Sequence, residues 1–253
     1  MTRIALLGAC ALACLAAAAG VRAATGVQPE LSANWAGYAA LAPAGGVLDV
    51  ANATGTWTIP RVRCRASRSD AVAFWVGLGG YANSTTALEQ LGTAAECHGL
   101  GRTPSYYAWW EVVPAAAVRI GLRVEAGDRV TAAVAVDGQK VVFSLIDRTH
   151  GTRFSRILTE SERLDVSTAE WIAEAPSSCV SATTCSSIPI SNFGVVRFTD
   201  IAMTANTHPG TLADAAWTAD PIQLVTGGDG AKPGEVSADG RSFAVSWQRS
   251  LTG

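Results

Sequence analysis

Thr168-Ala-Glu-Trp-Ile-Ala-Glu-Ala-Pro176, TAEWIAEAP, is the stretch on which the reading of this chain turns. A tryptophan and an isoleucine closed off by a proline suit a β-strand, yet two glutamates stand in it four residues apart. Successive strand side chains point to opposite faces. Glu170, Ile172 and Glu174 therefore share one face, and Trp171 and Ala173 take the other. Taking an ionised carboxylate out of water costs several kcal/mol unless it is partnered or protonated. A face that carries two of them among apolar neighbours is either solvated or has a chemical task.

Outward from this segment, comparable runs recur between Gly, Pro, Asn and Asp. ATGTWTIP, AVAFWVGLG, SYYAWWEVVP, RVTAAVAV, KVVFSLIDR, VVRFTDIAMT and SFAVSWQ are among them. Val, Ile, Phe, Trp and Thr dominate these runs, and helix signals are scarce. About a dozen short antiparallel strands without crossover helices imply an all-β sandwich or barrel. Asp137-Gly138 and the RTHGTR segment read as hairpin connections. TGGDGAKPGEVSADGR reads as a turn region before a last strand. One domain is expected, its core running from about Gln28 to Trp247.

Residues 1–24 differ in composition: one early Arg, an apolar run to Ala19, then small residues at the exit. This is the layout of a secretory signal peptide. The mature domain is then 25–253, delivered to an extracellular or periplasmic space and free of the membrane after cleavage. Cys10 and Cys14 leave with the leader. Cys64, Cys97, Cys179 and Cys185 remain, an even number in an oxidising compartment, and the pairs Cys64–Cys97 and Cys179–Cys185 are favoured. No Cys-x-x-Cys or helical His pair supports a metal site, and no cofactor is called for. A net charge of −2, with only Lys140 and Lys232 as lysines and no basic block, argues against nucleic acid as a partner. A monomer is expected.

No Gly-x-Ser-x-Gly elbow is present, and His98, His150 and His208 all sit in turn-like contexts. Carboxylates and amides within apolar strands remain. Glu111 shares a face with Trp109 and Tyr107. Gln90 shares one with Leu88, whereas Glu89 takes the opposite face and is expected on a solvated outer surface. Glu111, Glu174 and Gln90, flanked by apolar residues, are expected in a buried or cleft position. Such a cleft fits a hydrolase, a non-catalytic peptide- or glycan-binding module, or a glycoside hydrolase using Glu111 and Glu174.

Seven segments occur in order: SANWAGY, GTWTIP, FWVGLGG, LEQLGT, YYAWWEVVP, AEWIAEAP and NFGVVRFT. Together they resemble the eqolisin, or glutamic peptidase, family, in particular its bacterial-type members. The resemblance implies an antiparallel β-sandwich of two large sheets, of concanavalin-like or jelly-roll type. It implies an endopeptidase acting on protein or peptide substrates, acid-active and insensitive to pepstatin. By position, the catalytic glutamine falls on Gln90 and the catalytic glutamate on Glu174. Trp35, Trp75, Trp109 and Glu111 fall among the residues that line the cleft and bind substrate or position Gln90. The fungal pattern has an acid after the WVG motif and another four residues beyond the glutamine; here those positions hold Gly79 and Ala94.

Overall fold

The computed structural model describes residues 28–65, 68–81, 87–98, 103–161, 164–181, 184–226 and 228–249. The expected leader, 1–24, lies outside them. In chain order the strands are β1 (Glu30–Ser32), β2 (Trp35–Leu41), β3 (Val50–Thr58), β4 (Asp70–Leu78), β5 (Leu88–Cys97) and β6 (Ser105–Val113). Next come β7 (Val118–Ile120), β8 (Arg129–Asp137), β9 (Lys140–Asp147), β10 (Arg153–Thr159), β11 (Thr168–Glu174) and β12 (Ser177–Ser181). The last six are β13 (Thr184–Ser187), β14 (Val195–Ala205), β15 (His208–Gly210), β16 (Thr218–Leu224), β17 (Gly230–Pro233) and β18 (Phe243–Gln248). No helix is assigned among the described residues, as the runs of β-branched and aromatic residues imply.

Hydrogen bonding runs continuously in the order β10-β9-β8-β3-β14-β18-β17-β16-β2-β11-β4-β5-β6-β7. This ribbon folds on itself. β10, β9, β8, β3 and β14 form a back layer, β16, β2, β11, β4, β5, β6 and β7 a front layer, and β17–β18 turn the corner. Side chains that cross the interior show the packing. Trp171 Nε1 of the front layer donates to Thr54 O of the back, 2.9 Å away. Trp57 Nε1 of the back layer donates to Thr93 Oγ1 of the front, at 3.0 Å. Trp110 stacks on Phe143 with ring centroids 5.6 Å apart. The antiparallel sandwich expected from the sequence is thus present, its two sheets joined into one.

Alternation decides which residues enter the interior. β9 alternates buried and half-exposed residues along its length, whereas every residue of β4 is buried, because both faces of that strand are covered. Two corrections to the local reading follow. The hairpin loop between β8 and β9 is Gly138-Gln139, since Asp137 pairs with Lys140; Gly138 takes the positive φ of 61°. The glycine-rich stretch before the last strand also contains β17, which pairs with both β16 and β18.

Cys64 and Cys97 form the expected disulfide. Cys179 and Cys185 stand opposite each other in the small β12–β13 ribbon; their side chains lie outside the described residues.

Candidate active site

The front layer has a second apolar cluster on the face turned away from the interior. It comprises Ala39, Ala73, Trp75, Leu88, Ala94, Trp109, Ile172 and Ile222, with Trp35, Tyr81, Tyr107 and Val113 packed against it. Trp171, Ala173 and Phe74, by contrast, belong to the interior core. The strand of the opening question therefore divides as its alternation requires, with Trp171 inward and Glu170, Ile172 and Glu174 on the outer face.

Strand register arranges that face in rows running across β2, β11, β4, β5 and β6. One row is Trp35, Glu174, Ala73, Ala94 and Tyr107. The next is Gly37, Ile172, Trp75, Gly92 and Trp109. The third is Ala39, Glu170, Gly77, Gln90 and Glu111. Residues from five strands far apart in sequence meet here, and Trp75 lies between the row of Glu174 and the row of Gln90.

Trp75 links the two. Its Nε1 donates to Glu174 Oε2 at 2.7 Å. Its Cζ3 lies 2.9 Å from where a Cβ on Gly77 would sit, so only glycine lets the indole lie over this strand. Trp35 meets Trp75 edge to face with centroids 5.0 Å apart. Asn34 Nδ2 donates to the other carboxylate oxygen, Glu174 Oε1, at 3.2 Å. Each oxygen of Glu174 thus has a fixed donor, which leaves its remaining lone pairs for a water or substrate. Trp75 is fully buried and Trp109 nearly so, whereas Trp35 keeps part of its surface open.

Burial pushes the Glu174 carboxyl up to about 7. The Trp75 indole opposes that rise, the charge of Glu111 adds to it, and Asn34 and Trp35 oppose it. Glu111 is itself raised by burial, against the Gln90 amide and the backbone at Ala117. Gln90 Nε2 donates to Glu111 Oε2 at 2.6 Å, a short bond that fixes the amide plane. Gln90 Oε1 is buried without a hydrogen-bond partner among the described residues.

Glu170, on the same face as Glu174, is fully buried. Burial drives its carboxyl well above the usual carboxylate range, with Thr168 opposing and Asp165 and Glu89 adding. Glu89 corrects the sequence reading. It is completely buried rather than on a solvated outer surface, because the outer face of β5 belongs to Gln90 and the opposite face looks into the sandwich. Burial raises it to about 8, with the Asp165 carboxylate adding to the rise.

Sequence reasoning passed over Asn34 and Asp165. A Cβ on Gly79 would lie 2.6 Å from Asp165 Cβ and 2.5 Å from its carbonyl oxygen, and Gly79 has a φ of +83°. Asp165 therefore fills the space beside Gly79, and its Oδ2 accepts the Gly80 N–H at 3.2 Å. Ala94 is buried in the row of Glu174. Away from this face, Glu125, Asp128 and His150 bring potential ligand atoms within 4.8 Å of one another. The Nδ1 of that histidine is engaged by Asp147 Oδ2 at 2.8 Å.

Comparison with known proteins gives concordant results. The model of the peptidase A4 family matches residues 33–247. Scytalido-glutamic peptidase, solved with a peptide-based transition-state analogue, superposes with a TM-score of 0.69 at 24% identity, covering 85% of this chain and 98% of that one. SCP-B, described as an eqolisin in complex with the tripeptide Ala-Ile-His, gives a TM-score of 0.66 at 24% identity over 85% of this chain and 98% of its own. The aspergilloglutamic peptidase of Aspergillus niger gives 0.59 at 23% identity, over 70% of this chain and 99% of its own. A search of curated protein sequences finds no match.

Proposed function

The chain belongs to the peptidase A4 family of glutamic peptidases, and from that membership and the geometry of the outer face we propose that it hydrolyses internal peptide bonds with Glu174 as general base and Gln90 as oxyanion donor. The observation that carries this reading is the pair of donors, Trp75 and Asn34, that hold Glu174 on the face it shares with Gln90.

In the proposed reaction the Glu174 carboxylate takes a proton from water as the water oxygen attacks the scissile carbonyl carbon. The carbonyl oxygen becomes an oxyanion. One N–H of Gln90 is held by Glu111, and the other is left for that oxygen. Glu174 then gives its proton to the amine nitrogen as the C–N bond breaks. No acyl-enzyme is needed, in keeping with the absence of a nucleophile motif. General-base catalysis supplies roughly 10²–10⁴-fold, and a single oxyanion donor about 10²–10³-fold. Trp35 offers its open surface to substrate side chains, while Trp75 and Trp109 act from beneath as positioning residues.

The electrostatics refine the expectation of acid activity. A glutamate at its ordinary value would be an effective base in acid, but burial holds Glu174 near 7. We place the rising limb of kcat/KM on the acidic side of neutrality, where a base of that pKa begins to ionise. Secretion and insensitivity to pepstatin belong to the same proposal.

The test is hydrolysis of casein or denatured haemoglobin from pH 3 to 8 with pepstatin present. Cleavage by the wild type that is lost in a folded Gln90→Ala variant supports the proposal. Folded wild-type protein that cleaves at no pH overturns it and leaves a peptide-binding cleft.

A further inference from the structure

On the outer face of the back layer, opposite the cleft, a groove of about 520 Å³ is lined by Arg61, Arg129 and Arg197, with Thr58, Thr199 and Val195 between them. Three separate chain segments supply the arginines, and among the described residues the one carboxylate in contact with the lining is that of Asp200, which touches Arg129 and Thr199. Arg129 Nη2 contacts Asp200 Oδ2 at 2.8 Å; among the described residues Arg61 and Arg197 have no ion pair. Register accounts for the convergence. Thr58 pairs with Arg129, and Arg197 immediately precedes Phe198, the partner of Trp57. Arg197 and Arg129 thus flank Thr58 across three adjacent strands, with Cα atoms roughly 10 Å apart at about 4.8 Å per strand. Arg148 extends the stripe, its Nε donating to Thr131 Oγ1 at 3.1 Å beside Arg129.

A cluster of cations on a chain with net charge −2 is a local feature and not a consequence of composition. The groove lacks the aromatic rings on which unpaired bases stack, which disfavours single-stranded nucleic acid. It lacks the broad apolar patch that would enter a bilayer, since Val195 is its one strongly exposed large hydrophobic. Guanidinium groups at intervals along a sheet, interleaved with threonine hydroxyls, suit sulfate or phosphate esters carried at intervals on a hydroxyl-rich chain.

We propose that this groove binds an anionic polysaccharide bearing sulfate or phosphate esters, and so holds the enzyme on such a matrix with its cleft facing away. The site is independent of the catalytic residues, so it stands or falls apart from the peptidase reading. The probe is a heparin-type sulfated oligosaccharide, titrated by calorimetry into full-length protein at low salt and again at rising salt. Binding should weaken steeply with salt, by about one unit of slope in log K against log salt for each charge neutralised. Arg129→Gln with Arg197→Gln should weaken binding about tenfold or more with hydrolysis unchanged, whereas Thr58→Arg, which fills the gap in the row, should strengthen it several-fold. Absence of binding, binding indifferent to the arginine changes, or a stronger preference for a DNA oligonucleotide or for anionic phospholipid vesicles would each overturn the proposal.

Discussion

Glu170 and Glu174 stand on one face of one strand, both lifted above the usual carboxylate range mainly by burial, yet their surroundings differ. Glu174 meets the indole N–H of Trp75 and the amide of Asn34, and it stays partly exposed on the outer face. Glu170 is sealed, and of the side chains around it only the Thr168 hydroxyl favours its charged form. Burial alone makes a neutral acid. Burial with aimed donors makes a carboxylate that can exchange a proton near the working pH. The strand does both within four residues, and its inward face, with Trp171, does neither.

Changes to the two faces should separate stability from activity. Trp171→Ala empties a fully buried site and removes the bond to Thr54, and it should cost about 3–5 kcal/mol in denaturant unfolding, with little change in kcat per folded molecule. Gln90→Ala on the other face should lose about 2.7–4 kcal/mol of transition-state stabilisation, seen in kcat, while unfolding shifts little. Loss of activity in the first with a full complement of folded protein would break the division.

The raised carboxyls also fix the direction of the pH response. The unfolded chain titrates them near 4.5, whereas the native protein keeps protons up to about 7 at Glu174 and about 8 at Glu89. Native protein therefore binds more protons in that window, and stability falls as pH rises from about 4.5 to 8. Each group contributes up to about 1.4 kcal/mol per pH unit. Thermal unfolding from pH 4 to 8 checks this, and a melting temperature that climbs over the interval would contradict it. A smaller effect is expected for Trp75→Phe. Without the indole donor Glu174 rises further, and the rising limb of kcat/KM should move about one unit to higher pH, roughly the worth of one hydrogen bond to a charged group.

Alternation made much of this legible in the sequence. It set Trp171 against Glu174 and Leu88 beside Gln90, and the runs of β-branched and aromatic residues gave the strands. It does not say which face of β5 is inside, and it leaves Glu89 on the solvated side, whereas that residue is buried on the face opposite Gln90. Asn34 lies 140 residues from Glu174 in sequence, and nothing local marks it as that residue's partner. Asp165 sits in a short connection, where nothing local reveals that it fills the space beside Gly79. Both contacts depend on β2, β4 and β11 coming together, which is a property of the topology.

In the proposed reaction Glu174, and not its neighbour on the same face, is the base. The most direct measurement is the pH profile of kcat/KM on one peptide substrate for wild type, Glu174→Gln and Glu170→Gln, each confirmed as folded. Glu174→Gln should lose at least about 10²-fold at every pH, while Glu170→Gln, an amide in place of a neutral acid, should keep both the activity and the rising limb. An active Glu174→Gln enzyme, or an inactive but folded Glu170→Gln one, would contradict that assignment.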